Sequence, residues 1–91
     1  MIELDENFET MLICAERYAC GRQTYMPSIV VGYITPLIPQ LSDKALVVIR
    51  NDITFTAEHG GLGDPVIDEP LWKGLQLRVE EELKRREEKR R

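Results

Sequence analysis

Apolar residues recur at Leu4, Phe8, Met11, Leu12, Ala15 and Ala19, the i, i+4, i+7, i+8, i+11 series that only a helix gathers onto one face. The spacing predicts a helix from about Asp5 to Cys20. Carboxylates in its first turn suit the positive end of the helix dipole, and Gly21 follows as a left-handed terminator. A second stripe, Ile29, Val30, Tyr33, Ile34, Leu37 and Ile38, follows Pro27, whose fixed φ and missing N–H suit a first helical turn. Pro36 inside this run and Pro39 beyond it predict a short, kinked second helix. The β-branched run Ile29 to Val31 is the one stretch also compatible with a strand, and Gly32 weakens a helix there by about 1 kcal/mol relative to alanine.

Ser42 stands before Asp43-Lys44-Ala45-Leu46 in the position of an N-cap, opening a third helix with Leu46, Ile49 and Ile53 inward and Arg50 outward, fading near Phe55 to Glu58. His59 to Pro65 holds three glycines and a proline and reads as a loop. Asp68-Glu69-Pro70 then resembles a helix start, followed by Trp72, Leu75, Val79 and Leu83 at i, i+3, i+7 and i+11. Beyond Leu83 nothing apolar remains, so Lys84 to Arg91 is expected to fray or to project as a charged end. The expected fold is all-α, a compact four-helix domain over residues 1–83 with a charged helical end at 84–91.

Composition narrows this picture. Ninety-one residues, 43% hydrophobic, make one thin core. Self-association is therefore expected, with Trp72 and the β-branched face of the second helix meeting a second copy. No apolar run approaches a membrane span, and the acidic N-terminus lacks the chemistry of a secretory signal, which points to a cytoplasmic protein. The net charge of −4 divides unevenly: residues 1–68 carry 4 basic and 10 acidic groups, residues 69–91 carry 8 and 6. Only Lys84 to Arg91 has the cation density that duplex DNA requires, and Glu87 and Glu88 dilute it, so bulk DNA binding is not expected. Cys14 and Cys20 match neither a redox pair nor a zinc set; reduced thiols, no metal and no cofactor are expected.

Candidate chemistry concentrates in Arg17 to Tyr25. A glycine turn allows close backbone approach, Arg17 and Arg22 can hold an anion by paired donors, Tyr18 and Tyr25 offer stacking surfaces, and Thr24 can donate a hydrogen bond. The plainer alternative pairs the two arginines with Glu16, Glu58 or Asp64 and packs the tyrosines between helices. Catalysis is not expected. The single histidine, His59, sits beside a glycine loop with no serine or cysteine placed near it by sequence. Asp64, Asp68 and Glu69 lack the alternating ligands of a calcium loop and read as capping groups.

The stretch RYACGRQTYMPSIVVGYITPLIPQLSDKALVVIRNDI, covering residues 17 to 53, resembles a group of small uncharacterised bacteriophage and prophage proteins. These are typified by a "RYALGRRTY" segment, an isoleucine- and leucine-rich helix, a serine-containing turn and an "IRDI" end. The chain departs from them at Ala19-Cys20 and Arg22-Gln23, where they carry leucine and a second arginine. The resemblance implies an accessory, counter-defence role in a bacterial host cell, exerted by stoichiometric binding. Two forms are expected: capture of a small anionic ligand of the cyclic nucleotide class by Arg17, Tyr18, Arg22, Thr24 and Tyr25, or inhibition of a host defence protein through an acidic surface.

Overall fold

A computed structural model describes residues 5–21 and 26–90. Four α-helices and one 3₁₀ segment make up the fold, and no strand occurs among the described residues. Helix α1 spans Glu6–Ala19, and Asp5 caps it by accepting the Phe8 N–H at 2.7 Å. Cys20 ends the helix, its N–H donating to the Glu16 carbonyl, and Gly21 turns the chain with φ +88°. A Cβ on Gly21 would meet Thr56 Cγ2 at 3.2 Å, so the end of α1 passes close against the third helix.

Helix α2 spans Met26–Ile34 and runs directly into the 3₁₀ segment Thr35–Gln40. The kink read from the prolines is this change of helix type. Pro36 has no N–H to continue the α-helical ladder and its ring crowds the carbonyl four residues back, so the α-helix ends before it and the chain winds on as a short 3₁₀ segment. The strand alternative for Ile29 to Val31 is thereby excluded. Helix α3, Asp43–His59, starts at Ser42, whose hydroxyl accepts the Ala45 N–H at 3.1 Å, and continues four residues beyond Phe55. Asp64 organises the following turn by accepting from Val66 and Ile67, while Asp68 accepts the Asp64 N–H at 3.0 Å. Those bonds lead into α4, Asp68–Lys89.

One apolar core joins all four helices. Ile34, Leu46, Ile49, Ile53, Trp72, Leu75 and Val79 are essentially inaccessible to solvent, and Leu41 and Leu62 close it from the connecting segments. Trp72 corrects an expectation: it is 0% exposed within a single chain and does not belong to a surface awaiting a second copy. The α1 stripe is also rotated from the sequence reading. Glu16 and Ala19 are fully buried while Met11 faces solvent; Leu4 lies outside the described residues.

The charged end is held rather than idle. Arg86 pairs with Asp43 at 2.8 Å and Glu82 at 2.7 Å and donates to the carbonyls of Ile38 and Pro39 at the end of the 3₁₀ segment. Arg90 also pairs with Asp43. Hydrogen bonds first from Arg90 and then from Arg86 keep Asp43 below the ordinary carboxylate range. Helix thus persists to Lys89 because Arg86 ties a side chain with no apolar partner to the backbone ends of the 3₁₀ segment and the start of α3.

Candidate functional site

Of the sequence-derived cluster, the structure describes Arg17 and Tyr18. Arg22, Thr24 and Tyr25 lie outside the described residues. Arg17 donates from Nε to Asp52 on α3 at 2.8 Å, a partner absent from the sequence-based alternatives. Its side chain remains 60% exposed, and Tyr18 beside it is exposed as well. Asp52, through hydrogen bond and charge, holds Arg17 in its charged form.

Glu16, next to Arg17 in the chain, is fully buried, and its carboxyl group interacts with Asp52. Burial first, and then the adjacent Asp52, push its pKa up to about 9; Arg17 pulls the other way and does not prevail. Glu16 is therefore a neutral acid near pH 7. Cys20, half-buried at the same α1–α3 seam, is raised to about 11, chiefly by burial and against a hydrogen bond from Thr56, so its thiol is a poor nucleophile. The Arg17 guanidinium is already engaged by the Asp52 carboxylate, which offsets part of the field it offers an anion.

His59 is exposed and stacked on Phe55, with ring centroids 4.1 Å apart and Nδ1 2.9 Å from the Phe55 carbonyl oxygen. The stacking and that local bond account for its position at the end of α3. No group of three or more His, Cys, Asp or Glu side chains able to hold a metal ion occurs among the described residues, and no helix there is long and apolar enough to cross a membrane.

A groove lies where α1 meets α2, beside the second-helix face that the sequence assigns to contact with a second copy. Phe8, Met11, Leu12 and Ala15 of α1 face Met26, Ile29, Val30 and Tyr33 of α2 across an open groove of about 310 Å³. Every lining side chain is apolar or aromatic. Tyr33 also borders a second hollow of about 360 Å³, completed by Phe8, Gly32, Pro36 and Leu37. Exposure reaches 67% at Met11, 47% at Ile29 and 68% at Tyr33. These are large side chains to leave in water side by side.

The cause is written in the charge pattern. From Gln23 to Ser42 there is no Asp, Glu, Lys or Arg in a chain that is 31% charged. Helix α2 consequently has no polar face to give to solvent: Val30, Val31 and Ile34 enter the core, and Ile29 and Tyr33 remain outside. The uncovered second-helix face is expected from the sequence; the α1 side chains that flank it as a groove are not. Comparison with protein-family models, curated proteins and solved structures gives no match for this chain.

Proposed function

We propose that this is a non-enzymatic binding protein that acts stoichiometrically by seating an apolar helical segment of another protein in the α1–α2 groove. The observation that carries the reading is the exposure of Met11, Ile29 and Tyr33 around a groove with no charged side chain. Such a groove offers pockets for anchors at i, i+3 or i+4, and i+7 of an amphipathic helix. It lacks the few convergent polar groups that orient a small ligand. Blocking a protein partner is one of the two forms of accessory action implied by the phage resemblance. The acidic-surface version of that form has less support, because Asp5 and Glu9 are engaged in holding helix starts and Asp43 is held by arginines.

Capture of a cyclic nucleotide remains the second reading, favoured by one observation: Asp52 fixes Arg17 at the surface with its side chain 60% exposed, next to Tyr18. One experiment separates the two. Amide and methyl chemical shifts are followed while the labelled protein is titrated with helical peptides selected from a display library, and separately with a panel of cyclic di- and trinucleotides. Groove binding predicts peptide-induced shifts at Met11, Ile29 and Tyr33 and none from nucleotides. Shifts centred on Arg17 with nucleotides, and no selected peptide that binds, would reverse the order of the readings.

A further inference from the structure

We propose that the α1–α2 face is self-complementary and that, when no other protein occupies it, two copies of the chain pair there about a two-fold axis. The proposal rests on the reading of this face as a protein-binding surface and names what covers it otherwise. In an isologous contact each residue of one copy meets a counterpart that it also presents to the other, so a single face must carry both a projection and a recess to receive it. This face carries both. Tyr33 projects with 68% of its surface in water, and the hollow beside it is bounded by Gly32, Pro36 and Leu37. Gly32 deepens that recess: a Cβ built on it meets nothing within 4 Å.

Charge selects the same occupant. Each copy has a net charge of −4, so two copies repel over most of their surfaces. The band from Gln23 to Ser42 has no charges to oppose its own image, and a partner recognised through charge would find none to pair with there. Area sets the strength. A fully covered aromatic side chain buries roughly 150–250 Å², so Tyr33, Met11, Ile29 and the rim supply on the order of half the 800 Å² per partner of a standard interface. The expected dimer is weak and concentration-dependent.

Sedimentation velocity from about 1 μM to about 1 mM, the span in which weak interfaces of this kind dissociate, tests the pairing. The unmodified chain should pass from monomer to dimer across that range. Tyr33→Asp should weaken association at least tenfold, and Gly32→Leu, which fills the recess from a position open to solvent, should do the same. Both variants should keep the parent's far-ultraviolet circular dichroism, Tyr33→Asp with a thermal midpoint near the parent's and Gly32→Leu with one equal or higher, because leucine replaces a helical glycine. A monomer throughout, or a dimer indifferent to both substitutions, overturns the proposal. If the monomeric protein still binds selected peptides in the groove, self-pairing fails while the protein-binding reading stands; if it dimerises through Tyr33 and accepts no peptide, the reverse holds.

Discussion

Glu16 is the residue most at odds with its surroundings. A carboxyl with no exposed surface, set beside the Asp52 carboxylate, stays in the fold by keeping its proton, and its pKa near 9 states how strongly. The unfolded chain releases that proton near 4.5, so between about 4.5 and 9 the folded state holds more protons than the unfolded one. Stability linked to Glu16 is therefore complete below the lower value and declines as pH rises toward the upper one, with a limiting slope of about 1.4 kcal/mol per pH unit. Glu16→Gln keeps the shape without the titration. The variant should match the parent near pH 4.5 and exceed it by up to about 4–5 kcal/mol at pH 8, the difference growing across that interval. Asp43 and Glu82 govern the acid limb, since arginine contacts lower both pKa values and their contribution is lost as pH falls; this part is common to both proteins and cancels. Parallel pH profiles from denaturant melts of the two proteins would remove the proton from this account.

At the scale of elements, α1 and α3 are joined by a capping box assembled from two helices. Ser42 caps α3 by accepting from Ala45, and where a capping box places Glu three residues after the cap this chain has Ala45 itself. Glu9 of α1 takes over: its carboxylate accepts the Ser42 N–H at 2.6 Å and the Ser42 hydroxyl at 2.8 Å. Ser42→Ala should cost about 1–2 kcal/mol and Glu9→Ala somewhat less; the double variant should cost less than their sum by about 0.5–1.5 kcal/mol, a coupling read from chemical denaturation. Strict additivity would mean that the two groups act independently. This junction also marks what could be read from the sequence. Ser42 was legible as a cap because capping is local, and the inward residues of α3 and α4 were legible because their stripes are strong. Glu9 as the partner, Asp52 as the mate of Arg17 and the burial of Glu16 were not, because each depends on how α1 rotates against α3. Of the candidate site, Arg17 and Tyr18 lie at the surface. The uncovered face of α2 was anticipated, but the groove was not, because periodicity identifies which residues share a face and not which side chains of a neighbouring element flank it.

For the whole molecule, the size argument that sent Trp72 to a subunit interface worked in the opposite direction. A 91-residue chain has little apolar area to spare, and that is a reason to place its largest side chain at the centre of the single core. Trp72 is fully enclosed there, and its indole N–H has no partner among the described residues. Two opposing terms then decide what a substitution does. Trp72→Ala leaves a large cavity and should cost about 3–5 kcal/mol, a large share of the 5–15 kcal/mol by which a domain of this kind is stable. Trp72→Phe opens a smaller cavity and removes the unsatisfied donor, whose burial carries a desolvation cost of about 1–3 kcal/mol. The phenylalanine variant should therefore fall much nearer the parent than the alanine variant, within about 1–2 kcal/mol of it. Neither change touches the α1–α2 face, so whatever association the parent shows should persist in Trp72→Phe while Tyr33→Asp loses it. Urea melts followed by circular dichroism, with sedimentation of the same samples, check both halves. Equal destabilisation by alanine and phenylalanine would deny the role of the orphaned N–H, and loss of association in Trp72→Phe would return Trp72 to the interface.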